Sequence, residues 1–585
     1  VTAEKTYGAL VYYPPEGQAR RGRYGVSATP PVIMRIKSFL PRVDVSNRGS
    51  LFVADTPEVA RDLELMCLRW PLLMDDLTAA TLEAGAKLHR ANEVAVARIL
   101  AGHAVDRGAV WRVPAMKPRE YQQQAADLIA VVNRLLITDS LGLGKTLEGV
   151  LTFRDPQALP AALVCQTHLP PQMQREIAKV WPDLKTHIAR KGKPYDMTRF
   201  GGEPDVLILN YAKLPGWQHE LAGWAQTVIF DEIQELRRGE TSDKGKAAAN
   251  IAANALYAIG LTNTPVYNYG NEIWEIINIL IPGALGDKEE FAREWKGART
   301  AAGHIKLADP AALATHLRDA GHMLGRTREQ VGRELPYGEP VRVPHFVDSD
   351  PKALDELSGD SIELAKLILS KGTGRAERFN IAGQLDSQMR QATGIAKAPY
   401  VAEFVKMLLD GGEQRIILWG WHRSVYGIWR ERLDAYWPVM YTGSESPKQK
   451  ESSIRAFTEG DARVLIMSLR SGAGIDGLQG YCKTGVFGEL DWSPQVHKQD
   501  LGRLARDGQM HEVTGYFMVS DHGSDPTIAR VLGVKHHQGA PFEDPAAATI
   551  LAPLSDDTTG RARMLAEDLF RRRGIPIPIT DGANT

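Results

Sequence analysis

Cysteine is scarce in this chain: Cys67, Cys165 and Cys482 are the only three in 585 residues. Their wide separation speaks against a disulfide framework and against a cysteine-built zinc cluster, so any metal is expected to arrive with a ligand. Long apolar runs are missing too, and no stretch is long enough to span a bilayer. The first thirty residues, with Arg20, Arg21 and Arg23 among glycines and prolines, lack a signal-peptide core. A soluble, intracellular protein with no membrane partner is expected, in cytoplasm or nucleoid, or in a host cytoplasm if the chain is viral. An excess of one charge is absent as well, since 70 Lys and Arg stand against 71 Asp and Glu. A polyanion would therefore have to be met by a local basic channel, not by overall charge.

What is present is the composition of a folded globular protein, 43% hydrophobic and 24% charged, in a chain too long for one core. Its most informative stretch runs from Asp139 to Gly149. An apolar run (Leu135, Leu136, Ile137) feeds into it and an amphipathic segment leaves it, which reads as strand, tight loop and helix. Gly142 and Gly144 let the backbone turn its N–H groups toward phosphate, Lys145 supplies a point charge, and Thr146 offers a hydroxyl to magnesium. The strict phosphate-loop pattern has Gly where this chain has Asp139, so a plain glycine-rich turn before a helix stays open on this motif alone.

Further strand-like runs follow at Ala162 to Cys165, Asp205 to Asn210, Thr227 to Phe230 and Tyr257 to Leu261, separated by helical or loop segments. That alternation predicts a parallel sheet covered by helices, with chemistry at the carboxyl ends of the strands. The third run ends in Asp231-Glu232-Ile233-Gln234, about 85 residues after the loop. An Asp at that tip can hold magnesium opposite Thr146, and the adjacent Glu can polarise a water for attack on a terminal phosphate. Upstream, Pro118 to Gln122 opens a helix, and the Gln122 amide can pair with both a donor and an acceptor on an adenine edge.

The remaining text divides the chain. Residues 1–115 read as an accessory domain, with a strand at Leu51 to Val53, a helix after Thr56-Pro57, and a helix from about Thr78 to Leu100 whose core positions are Leu82, Leu88, Val94 and Ile99. Residues 116–285 form a nucleotide-binding lobe. Residues 286–392 lack sheet signals and read as helical protrusions and a linker. Residues 393–538 carry a second strand series (Arg415 to Trp419, Val439 to Thr442, Arg463 to Ser468, Thr484 to Glu489, Val513 to Val519) without a phosphate loop of their own. A C-terminal extension, 539–585, ends in a helix from Thr559 to Arg573, where Arg571 to Arg573 fit a solvated helix end better than a phosphate contact.

Taken together over roughly residues 117–530, these segments resemble the superfamily two helicases, and among them the Swi/Snf-type DNA translocases of the short phage, bacterial or annealing-helicase-like branch. Asp139 to Thr146 is similar to the family's Asp-Glu-Met-Gly-Leu-Gly-Lys-Thr, and Leu261-Thr262-Asn263-Thr264-Pro265 to its Leu-Thr-Gly-Thr-Pro. Gln499 to Arg506 fits Q-x-x-G-R-x-x-R. Asn263 departs from the family's Gly, and a positive φ there would be tolerated by Asn.

The resemblance implies two RecA-like α/β lobes with ATP and Mg2+ in the cleft and DNA, duplex or branched, across both. It implies Lys145, Glu232 and Gln234 as catalytic residues, with Arg503 and Arg506 as fingers for the γ-phosphate. Gln122, Gly142, Gly144, Thr146, Asp231, Gly474 and Asp476 would contact the nucleotide. Thr167, Tyr211, Trp421, His422, Arg470 and Ser471 would contact DNA, and Thr262, Thr264 and Gln499 would couple hydrolysis to movement. The activity implied is ATP-dependent DNA translocation. A strand-separating DNA or RNA helicase, and a nucleotide-gated scaffold without useful turnover, are the alternatives.

Overall fold

The computed structural model describes residues 6–15, 22–40, 50–103, 111–167, 169–197, 202–263, 265, 270–299, 305–359, 361–369, 375–469, 477–529 and 558–576. Two all-parallel sheets dominate it. The first has seven strands in the order Met323–Leu324, Arg134–Ile137, Tyr257–Leu261, Thr227–Asp231, Ala161–Cys165, Val206–Asn210, Thr186–Ile188. The second has six, in the order Val341–Val347, Thr514–Ser520, Thr484–Phe487, Ile416–Gly420, Val464–Ser468, Val439–Tyr441. The central strands are buried along their whole length, which is why their sequences run continuously apolar instead of alternating. Each core is sealed by large side chains, such as Trp217 and Phe230 in the first and Trp419 stacked on Phe487 at 4.7 Å in the second.

Every strand expected from sequence in the two lobes is present within a residue or two. The segment 286–392 is different. It is not purely helical: Met323–Leu324 extends the first sheet beside the strand that feeds the phosphate loop, and Val341–Val347 forms an edge of the second. Short or half-exposed edge strands carry no long apolar run, so periodicity missed them. The expected boundary at 392/393 falls inside one helix, Arg375–Asp410, which packs on the second lobe. The expected C-terminal extension also belongs to that lobe, because Leu565, Leu569 and Phe570 of the helix Thr558–Arg572 enter its core. Arg573 of the basic triplet is tied to Asp355.

The N-terminal residues form a three-stranded antiparallel sheet, Gly8–Tyr13, Arg23–Ala28 and Ser50–Ala54, with helices Pro30–Phe39, Pro57–Arg69 and Asp76–Leu100. Thr56 caps the second of these, its Oγ1 accepting from the N–H of Val59 at 3.2 Å. Of the expected core positions on the long helix, Leu82 and Ile99 are buried, whereas Leu88 and Val94 are 51% and 61% exposed. Only part of that helix has a partner surface. Among the described residues no helix is long and apolar enough to cross a membrane.

Candidate active site

The phosphate loop leaves the strand Arg134–Ile137 and enters the helix Lys145–Val150. Gly142 and Gly144 hold φ of 82° and 87°, the left-handed region that glycine occupies without a Cβ penalty. Lys145 folds back onto its own loop, its Nζ donating to the carbonyls of Asp139 at 2.5 Å and Ser140 at 3.4 Å. Burial pulls the Lys145 pKa down, against the pull of Glu232, Asp139, Glu148 and Asp231. Thr146 is half-buried at the start of the helix.

Asp231 closes the strand Thr227–Asp231. Its pKa is pushed up to about 7, by burial first and the neighbouring Glu232 second, with Lys145 opposing. Glu232 adopts φ 56°, a left-handed backbone that is uncommon for a non-glycine residue and turns its carboxylate out of the strand direction. Gln234 Nε2 donates to Glu232 Oε2 and so fixes that carboxylate, while Gln234 Oε1 has no partner among the described residues. Two crowded carboxylates beside one lysine form a donor set in deficit of positive charge, which suits a hard divalent cation.

Gln122 is buried against the loop, with Nε2 donating to Leu143 O at 3.0 Å and Oε1 accepting from the N–H of Arg119 at 3.0 Å. Tyr121 reaches the same carbonyl through its hydroxyl at 2.8 Å. Both polar ends of the Gln122 amide are thus engaged by protein as placed, so it acts as a brace and helix cap. A cavity of about 650 Å³ opens at the start of the same helix, lined by Trp111, Met116, Pro118, Gln123, Leu151 and Arg154 but not by Gln122.

One residue that sequence reading passed over organises the loop. Arg326, just after the edge strand Met323–Leu324, is buried and donates to Asp139 (Nη2 to Oδ2 2.6 Å), to Glu148 (3.0 Å), and to the carbonyl of Tyr121 (2.6 Å). Asp139, standing where a strict phosphate loop has Gly, is fully buried and held by this pairing. The signal was available: a carboxylate in that position requires a cation, although the sequence does not say which of 70 basic residues supplies it.

Tyr211 is 5% exposed, and its hydroxyl donates to the carbonyl of Asp231 at 2.7 Å. As placed, this hydroxyl supports the end of the strand that carries Asp231 and is not presented to DNA. Thr167 is exposed at the carboxyl end of its strand. Trp421 is 42% exposed after the strand Ile416–Gly420, and His422 pairs with buried Glu489 (Nδ1 to Oε1, 2.6 Å). The two N–H groups of Trp421 and His422 also donate to Glu489 Oε2 at 2.6 and 2.9 Å, and these bonds keep the Glu489 pKa low in spite of its burial. Arg470, Ser471, Gly474, Asp476 and Thr264 lie outside the described residues.

Across the cleft, the segment from Gln499 to Arg506 meets the phosphate loop directly: a Cβ on Gly502 would stand 2.5 Å from Leu141 Cδ1. Arg503 does not face the cleft freely. It is 3% exposed and its Nε donates to Asp500 at 3.2 Å, which holds it inside the second lobe as placed. Arg506 is half-buried, its Nε donating to Gly502 O at 3.0 Å. Gln499 Nε2 is buried and has no partner among the described residues. Thr262 and Asn263 are buried beside the loop, and the Thr262 N–H donates to Ile137 O at 3.0 Å. The backbone at Asn263 does not take a positive φ; instead its Nδ2 is buried without a partner.

Residues 89–344 match the SNF2-related domain family. The chain is 25% identical over 423 residues to the DNA annealing helicase and endonuclease ZRANB3 of Mus musculus, an alignment that covers 69% of this chain and 38% of the mouse protein. It is 23% identical over 477 residues to the uncharacterized ATP-dependent helicase YqhH of Bacillus subtilis, covering 73% and 79% of the two. The Sulfolobus solfataricus SWI2/SNF2 ATPase core in complex with dsDNA aligns with 81% of this chain and 99% of its own at 18% identity and a TM-score of 0.35. The chain thus spans well under half of the length of the mouse relative. By these comparisons residues 89–344 are similar to the SNF2-related domain family, and the chain resembles proteins that bear the name of helicase over 69% to 73% of its length.

Proposed function

We propose that this protein is a DNA-dependent ATPase that uses hydrolysis to move along or remodel DNA. The observation that carries this reading is the convergence of Lys145 with the crowded pair Asp231 and Glu232, faced at Leu141 by the second lobe's Gly502. A scaffold that only binds nucleotide has no need of a carboxylate held in a strained turn by Gln234.

The phosphate-loop N–H groups and Lys145 cradle the β- and γ-phosphates once Lys145 exchanges its loop carbonyls for them. Thr146 and Asp231 would hold magnesium, which when bound neutralises phosphate charge. Glu232, fixed by Gln234, accepts a proton from the attacking water. Arg506 reaches from the second lobe toward the charge that builds on the γ-phosphate in the transition state. Thr167, Trp421 and His422 stand at carboxyl ends of strands in the two sheets, where a nucleic acid laid across both would pass. Opening and closing of the cleft would then step such contacts along a backbone. The relatives bear names of helicases, one of them of DNA annealing, and this supports DNA over RNA.

The test is steady-state ATP turnover with single-stranded, duplex and forked DNA and with RNA, repeated across salt. Turnover should be stimulated by DNA more than RNA and should decline with salt as phosphate contacts are screened. Turnover indifferent to every nucleic acid would remove the translocase reading.

A further inference from the structure

Asp507 stands one residue beyond Arg506, in the second lobe, and gathers three arginines from the rest of the chain. Arg333 donates to its Oδ2 at 2.5 Å, Arg119 to the same oxygen at 3.0 Å, and Arg328 to Oδ1 at 3.4 Å. Arg119 opens the helix that carries Gln122, whereas Arg328 and Arg333 follow the last strand of the first sheet. These partners, with burial opposing them, hold the Asp507 carboxyl below the usual range, so the cluster is ionised at neutral pH.

Two routes lead from this carboxylate to the phosphate loop. Along the first, Arg119 Nη1 donates to the Tyr121 hydroxyl at 3.1 Å, and that hydroxyl donates to Leu143 O at 2.8 Å. Along the second, Arg328 Nη2 donates to Ala505 O at 3.2 Å, while the same nitrogen would lie 2.1 Å from a Cβ on Gly142. The Gly502–Leu141 contact completes the set, so three consecutive loop residues, Leu141, Gly142 and Leu143, each touch a group tied to the second lobe. A half-exposed ion pair contributes little by itself, but a carboxylate shared by three guanidinium groups fixes geometry.

The geometry points to Asp507 as the inter-lobe positioning residue of this ATPase: it docks the 499–506 segment on the phosphate loop and thereby sets Arg506 against the nucleotide. This inference rests on the hydrolytic reading above, but its first readout does not. Asp507 touches neither the nucleotide site's lysine nor its carboxylates, so its effect must pass through lobe placement.

In the full chain, dyes attached at exposed Glu220→Cys and Lys448→Cys, in a Cys67→Ser background, report the inter-lobe distance without nucleotide. Asp507→Ala and Asp507→Asn should broaden and lengthen that distance, Asp507→Glu should restore it, and Arg333→Ala, at a half-exposed side chain, should shift it in the same direction. In turnover, Asp507→Asn should lower kcat roughly tenfold with the KM for ATP changed far less, and Arg119→Ala should add little to Asp507→Ala, since both break one linkage. An inter-lobe distance in Asp507→Ala identical to the parent's overturns the inference whether or not ATP is hydrolysed. A parent that hydrolyses no ATP while the distance shifts as expected overturns the hydrolytic reading and leaves the docking role standing.

Discussion

Glu232 is where residue chemistry is most constrained. Its left-handed backbone costs about 1 kcal/mol or more for a side chain of this kind, and is maintained by the Gln234 contact and the buried strand before it. Glu232→Gln should retain ATP binding, because the phosphates are held by the loop and Lys145, yet turnover should fall by at least about a hundredfold, as expected for loss of a positioned general base. Lys145→Ala should instead weaken ATP binding itself. Fluorescent-nucleotide titration alongside turnover separates the two; normal turnover in Glu232→Gln would take the water-activating role away from this residue.

At the level of elements, the edge strand Met323–Leu324 does more than widen the first sheet, for it delivers Arg326 to Asp139 and Glu148. Arg326→Met would take from two buried carboxylates the guanidinium that bonds both, at a cost of roughly 3 to 5 kcal/mol read by denaturant unfolding. Adding Asp139→Asn and Glu148→Gln should recover much of that loss, because the Glu148 carboxyl is already driven toward its neutral form by burial and by Asp139. The residue before the same strand, His322, has its pKa lowered from 6.5 to about 4 by burial, with His316 adding to it. A histidine depressed in this way is neutral in the folded protein. Its contribution is therefore complete above pH 6.5 and is lost as pH falls toward 4, a change on the order of 3 kcal/mol. His322→Gln should flatten the stability profile in that window, and an unchanged profile would show that other groups set the acid limit.

On the scale of the whole molecule, the proposed role of Arg506 depends on how the two lobes meet at Gly502 and Leu141. Arg506→Ala should depress turnover on the order of a thousandfold with nucleotide affinity nearly intact, the pattern of a group that acts in the transition state. Arg503→Ala should also lower thermal stability, since it removes the guanidinium that bonds buried Asp500. If the proposed translocation runs on an intact duplex, the chain should displace the third strand of a triplex while leaving a long forked duplex closed. Efficient fork opening without triplex displacement would make it a strand separator.

By itself, the sequence determined the two parallel sheets, the phosphate loop and the strand-tip carboxylates. These rest on local patterns: continuous apolar runs fix buried strands, glycines fix the loop, and the order of motifs fixes which strand tips share a cleft. Tertiary structure alone decided what depends on partners distant in the chain. Tyr211 and Arg503 look like surface contacts until packing buries them, and nothing near Asp139 in sequence announces Arg326, 187 residues away. Strands as short as Met323–Leu324 carry too few side chains to show a period. Asp507 acquires its three arginines only when both lobes and the segment between them are assembled, because a charge chooses partners by distance in space and not along the chain.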